Sequence, residues 1–145
     1  MKLILPLFFA CAIGFAQNMS LDQRRSQIVE IIDEELSEIK RLSGQVRGQN
    51  PDYLLRMAEL NLEKARLWRD KENSEYLAMP ATERRKHSKS KFFRRSSSYF
   101  AEANSLAASI TRKFPRYRNI GDVYYILGFN AKEAGRNKAA QKYFE

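Results

Sequence analysis

The sequence predicts an all-α fold. Three observations carry that prediction. After the amino-terminal sixteen residues, apolar side chains recur at three- and four-residue spacing through each long segment, the period of a helix with one buried face. Helix-stopping residues fall between these segments, at Asn50-Pro51, Met79-Pro80, Phe114-Pro115 and Gly135. The stretch from Asp122 to Phe144 places small residues where two short helices would press together.

Residues 1–16, MKLILPLFFACAIGFA, read as a secretory signal. Lys2 supplies the positive start, and Leu3 to Phe15 is an apolar core interrupted only by Pro6 and Gly14. Gly14 and Ala16 are the small residues that a signal peptidase reads. The expectation is an exported chain, cut after Ala16 and resident in the periplasm or at the envelope. The run is too short to span a bilayer stably. Cys11 is the only cysteine. A lipoprotein reading would lipidate it, but the bulky Phe8 fits that processing site poorly and the apolar run continues to Phe15. Cleavage after Ala16 would leave no thiol and no disulfide, which suits an oxidising compartment.

Residues 17–49 read as one amphipathic helix. Ser20 and Gln23 have the spacing of a capping box, in which each side chain takes a terminal N–H of the other. Ile28, Ile32, Ile39, Leu42 and Val46 form the apolar stripe, Ile31 and Leu36 widen it, and the helix is expected to run to about Leu42 with Gly44 and Gly48 ending it. Asp33, Glu34, Glu35, Glu38, Lys40 and Arg41 take the outer positions. The stripe can dock on the rest of the chain, or it can form a short coiled coil that makes the protein a structural oligomeriser. Glu35 interrupts the heptad seam of the second reading.

Residues 50–115 read as an elongated helix pair. Asn50-Pro51-Asp52 is a strong start: Asn caps, Pro suits the first helical position, and Asp favours the positive end of the dipole. Leu54, Met57, Ala58, Leu62, Ala65 and Trp68 then recur to about Leu77. After Met79-Pro80 a second long helix is expected from near Thr82 to Phe114, with Phe92, Tyr99, Ala103, Leu106, Ala107, Ile110 and Phe114 on its face and Phe93 and Phe100 broadening it. Pro115 stops it.

Residues 116–145 read as a helical hairpin. Tyr124, Leu127 and Ala131 share a face, Gly128 is small where a neighbour would approach, and Gly135 sits where the first helix must end. Ala139, Ala140, Tyr143 and Phe144 form the apolar side of the second helix. With Tyr124, Leu127, Gly128, Ala131, Gly135, Ala140 and Phe144 in register, this hairpin resembles a tetratricopeptide repeat, except that Ala131 stands where that family usually has Tyr. An unrelated αα-hairpin is the plainer alternative. Leu54, Met57, Ala58, Ala103, Ala107, Ile110 and Pro115 resemble a stretched repeat, with roughly thirty residues added to a unit of about 34. PDYLLRMAELNLEKAR, the basic insertion and KFPRYRNIGDVYYILGFNAKEAGRNKAAQKYF together resemble exported envelope repeat proteins of predatory and gliding bacteria. The resemblance implies a helical-repeat solenoid fragment, continued beyond Glu145, since repeat hairpins need neighbours to bury their faces. It also implies a partner groove, with Asp122, Tyr125, Phe129, Lys132 and Glu133 on the concave side.

The chain has 26 Lys and Arg against 17 Asp and Glu, a net charge of +9. Arg84, Arg85, Lys86, Lys89, Lys91, Arg94 and Arg95 lie within twelve residues. On one continuous helix they would wrap around the axis and repel one another, so the segment gains from an anionic neighbour. A solvated helix face, contact with an anionic lipid or envelope surface, and phosphate contact in nucleic acid are the three readings. Export argues against the last.

No enzyme constellation is present in the sequence. His87 is the only histidine and reads as a surface residue among cations. No Cys/His cluster has metal-ligand spacing, no Ser has a recognisable base partner, and there is no glycine-rich phosphate loop. Asp33-Glu34-Glu35 points in different directions around a helix and reads as solvated. The expectation is a non-catalytic protein-interaction scaffold of the cell envelope with no cofactor and no metal. The alternatives are the oligomeriser and an anionic-surface-binding accessory segment of a larger envelope protein.

Overall fold

The computed structural model describes residues 20–145. The expected signal segment 1–16, with Cys11, therefore lies outside the described residues. Among the described residues there are seven helices: α1 (Leu21–Gln45), α2 (Pro51–Ala78), α3 (Ala81–Arg84), α4 (Lys89–Phe92), α5 (Arg94–Lys113), α6 (Ile120–Glu133) and α7 (Asn137–Phe144). Among the described residues there is no strand, and no helix is long and apolar enough to cross a membrane.

The starts of α1 and α2 follow from their caps. Ser20 Oγ accepts the Gln23 N–H at 3.2 Å, and Gln23 Oε1 accepts the Ser20 N–H at 2.8 Å. Asn50 Oδ1 accepts the Asp52 N–H at 2.9 Å, with Pro51 at the first helical position. α1 runs on past Leu42 to Gln45, carrying Gly44 inside it. A glycine weakens a helix without forbidding it, and the chain turns out only at Gly48, whose φ is +86°.

α2 is the central helix. Leu54, Leu55, Met57, Ala58, Leu60, Leu62 and Ala65 are all buried, on more than one of its faces, because α1, α5 and α6 each pack against it. α1 and α2 are antiparallel, tied by Asp22–Lys71 (3.8 Å), by the buried ammonium of Lys64 on Asp33, and by Arg56 on Glu35 through two hydrogen bonds of 2.6 and 3.0 Å. On α1 the core residues are Ile32, Leu36 and Ile39. Ile28 and Val46 are exposed, and Ile31 is 62% exposed. The apolar stripe therefore runs through Leu36 rather than Ile31. Neighbouring isoleucines point about 100° apart on a helix, and only one of them can face α2.

α2 and α5 form the most extensive pairing and run antiparallel. Lys113 reaches Gln49 at 2.8 Å at one end, and Tyr76 meets Phe92 and Phe93 at 5.4 and 5.7 Å at the other. Phe100, Ala103, Ala107 and Ile110 bury the seam. The expected single helix from Thr82 to Phe114 is broken into α3, α4 and α5. Three adjacent cations, Arg84, Arg85 and Lys86, repel within one turn, and the chain tightens there, with Lys86 N–H on Glu83 C=O at 2.9 Å. Ser88 is extended at φ −68°, ψ 126°, and its hydroxyl bonds Ser90 instead of continuing a helix. The break lets Phe92 and Phe93 both fold onto Tyr76.

α6 packs on α5 and α7 on α6. Pro115 ends α5 as expected, with Phe114 at φ −133°. Tyr117 pins the connection by donating its hydroxyl to Asp52 at 2.5 Å. Gly135 turns the hairpin at φ +71°, while the Arg136 N–H reaches back to Ala131 C=O at 2.8 Å. A Cβ on Gly128 would lie 2.5 Å from Phe144 Cε1, so α7 seats its last ring directly on the glycine.

Candidate functional site

Because α5 runs against both α2 and α6, those two helices run in the same direction, and an open groove of about 480 Å³ lies between them. Asp122, Tyr125 and Ile126 form one wall. Glu59, Leu62, Glu63, Arg66, Leu67 and Asp70 form the other. Leu62 and Ile126 are buried and make an apolar floor, while Tyr125 is exposed. Four carboxylates and one guanidinium border the groove, so its local charge is opposite to that of the whole chain. Glu59 is paired with Arg56 at 3.3 Å. Among the described residues no salt bridge engages Glu63, Asp70 or Asp122, which leaves three carboxylates available to a partner.

The five groove residues expected from the repeat resemblance separate in space. Asp122 and Tyr125 line the groove. Phe129 is half-buried below it, 6.3 Å from Tyr125 and 6.5 Å from Phe100, with the Arg66 guanidinium 5.4 Å from its ring centre. Lys132 is exposed at the end of α6. Glu133 instead lines a second cavity of about 430 Å³ with Arg69, Asn130 and Arg136. Asn130 is 5% exposed, and neither atom of its amide has a hydrogen-bond partner among the described residues.

The α2 wall is what the sequence reading missed. Its signal was present: Glu59, Glu63, Arg66 and Asp70 recur every three or four residues, a second stripe beside the core stripe. Buried-face periodicity hides such a stripe, because the residues are polar and read as solvent-facing.

The seven basic residues do not share one helix. Arg84 is half-buried, its guanidinium 5.9 Å from the Tyr76 ring centre, and Lys86 pairs with Glu83 at 2.7 Å. Arg85, Lys89, Lys91, Arg94 and Arg95 are exposed. Lys89 lines a trough with Tyr76 and Phe93, whereas Lys91, Arg94 and Arg95 border a separate cavity against Trp68. Arg95 lies over the Trp68 ring at 4.0 Å, within cation–π range.

His87 is exposed, its ring edge-on to Phe92 at 6.2 Å. Among the described residues no group of three or more His, Cys, Asp or Glu side chains is gathered as a metal site would require. Glu35 and Glu38 hold their carboxyls below the ordinary value through hydrogen bonds from Arg56 and Arg41. Burial and the hydrogen bond to Asp52 push the Tyr117 hydroxyl up. None of these groups lines the groove. No protein-family model, curated protein or solved structure matches this chain.

Proposed function

We propose that the chain is a non-catalytic interaction scaffold of the bacterial cell envelope. In this reading α2 with α5 and α6 with α7 are successive tetratricopeptide-like units. The first helices of the two units line a concave surface that receives a segment of a partner protein.

One observation carries the reading: α2 and α6 run side by side around an open groove in which the exposed Tyr125 ring stands among the unpaired carboxylates of Glu63, Asp70 and Asp122. An aromatic anchor over an apolar floor, ringed by polar groups, is a usual form of a protein-binding surface. The charge favours a partner segment rich in Lys or Arg. The burial of Ile32, Leu36 and Ile39 against α2 favours a docked α1 over an oligomerising seam. Export to the envelope rests on the amino-terminal signal pattern.

The test is site-specific photo-crosslinking in cells, with the reactive side chain at Tyr125 or, as a control, at the exposed Leu77 of α2. A discrete adduct from position 125 that is absent from position 77 is the expected result. The same ladder from both positions would refute a groove-bound partner.

A further inference from the structure

We infer that the cavity between the second half of α2 and the start of α5 is a binding site for a phosphate ester, the chemistry shared by phospholipid headgroups and soluble organic phosphates. The cavity measures about 710 Å³, larger than a bare phosphate needs, and it is bordered by Trp68, Lys71, Lys91, Arg94, Arg95 and Ser98. It is separate from the α2/α6 groove and does not depend on the scaffold reading.

The free charge at this cavity is positive. Two carboxylates also border it, but both are engaged. Glu72 accepts the Arg95 and Ser96 N–H groups at 3.1 and 3.3 Å as well as the Ser96 hydroxyl, and Glu75 lies 3.7 Å from Lys71. Among the described residues Lys91, Arg94 and Arg95 have no acidic partner. Three like charges held within five residues repel one another, and an anion between them relieves that repulsion.

The site is also built rather than merely basic. Arg95 is held by its stacking on Trp68, so less rotamer freedom is lost when it binds. The Trp68 indole N–H is shut off from solvent, so an anion in the cavity does not reach it, and the ring serves the site as the platform under Arg95. The Ser98 hydroxyl borders the cavity but already donates to the Arg95 C=O at 2.8 Å, so the cationic side chains carry the contact with the anion. The first N–H groups of α5 are already taken by Glu72, so side chains and not the helix terminus hold the ligand. Single-stranded nucleic acid fits less well, because base stacking needs an open aromatic face and Arg95 already covers one face of Trp68.

Trp68 is the only tryptophan of the chain, so its emission reports on this site alone. The full chain is titrated with glycerol 1-phosphate, and separately with phosphatidylcholine vesicles with and without phosphatidylglycerol. The expected result is a saturable change in Trp68 emission that weakens as salt rises. Lys91→Ala with Arg94→Ala should weaken it about thirtyfold. Both residues are exposed, and circular dichroism checks that the variant keeps its helices. The charge-matched control, Arg112→Ala at the far end of α5 with Arg116→Ala in the turn that follows it, should leave the midpoint within about twofold. A response to glycerol phosphate as well as vesicles assigns a soluble phosphate ester, and a response to anionic vesicles alone assigns a headgroup presented on a surface. Equal loss in both double variants, no emission change with any probe, or a tighter response to a single-stranded oligonucleotide would overturn the inference.

Discussion

Glu72 on α2 caps α5 across the helix interface, meeting the fully buried Ser96 through both the backbone N–H and the hydroxyl. It satisfies two of the N–H groups that any helix start leaves open. It also decides where α5 begins, because Phe93 offers no side-chain cap of its own. Glu72→Ala should destabilise the protein by about 2–3 kcal/mol, the penalty for leaving such donors buried and unpaired. Glu72→Gln keeps an acceptor oxygen and should lose about half as much. Chemical denaturation of the two variants checks the order.

The α1 stripe gives a paired test of which face is inside. Ile32 is 3% exposed and Ile31 is 62% exposed. Ile32→Ala should cost about 2–4 kcal/mol through lost burial and a residual cavity, whereas Ile31→Ala should stay within about 0.5 kcal/mol. Light scattering on Ile31→Lys adds a second readout. An unchanged molecular mass is expected if α1 is used up by docking on α2, and a loss of mass would mean that the exposed Ile31 joins two copies.

The Arg56–Glu35 bridge makes the docking of α1 sensitive to acid. The Arg56 hydrogen bond holds the Glu35 carboxyl below its ordinary value of 4.5. A depressed carboxyl contributes fully above its unfolded value and loses that contribution as pH falls through the folded one. The weakening therefore falls below about pH 4.5. The side chains of Arg56 and Glu35 are 49% and 39% exposed, and screening limits the effect to about 0.2–1 kcal/mol. Hydrogen exchange of α1 should speed up in that range, and Glu35→Gln should remove most of the pH dependence.

Local chemistry made much of the fold legible in the sequence. Asn50-Pro51-Asp52 starts α2 and Pro115 stops α5 by rules that involve only adjacent residues, and Gly135 takes the positive φ that its place in the hairpin requires. What was not legible depends on partners far along the chain. Where α5 restarts after the break rests on Glu72, which caps it from about twenty residues away, and on Tyr76, which packs against Phe92 and Phe93. The α2 wall of the groove depends on α6 lying beside it, which no spacing within α2 encodes. Tyr125 and Asp122 lie on the side of a short, regular hairpin that faces α2, while Glu133 lines a different cavity at the end of α6.

The hairpin of α6 and α7 carries the last prediction, because Gly128 and Gly135 are glycines for different reasons. At Gly135 the backbone is left-handed, with φ +71° and open space around the missing Cβ, so Gly135→Ala should cost about 1 kcal/mol from conformation alone. At Gly128 the backbone is helical and the obstacle is the Phe144 ring. That ring is half exposed at the tip of a flexible side chain. Gly128→Ala sets a helix-propensity gain of about 1 kcal/mol against a displaced ring that gives up its contact with Tyr125 at 6.1 Å. The two terms nearly cancel, and the global stability should move by less than about 0.5 kcal/mol. Gly128→Leu cannot be relieved by one ring, so it should lift α7 from α6 and separate Tyr124 from Tyr143, which now stack at 6.2 Å. Hydrogen exchange confined to α7 is the measurement. Fast exchange in Gly128→Leu with protection retained in Gly128→Ala is expected, and equal protection in both would mean that the glycine is not there for close packing.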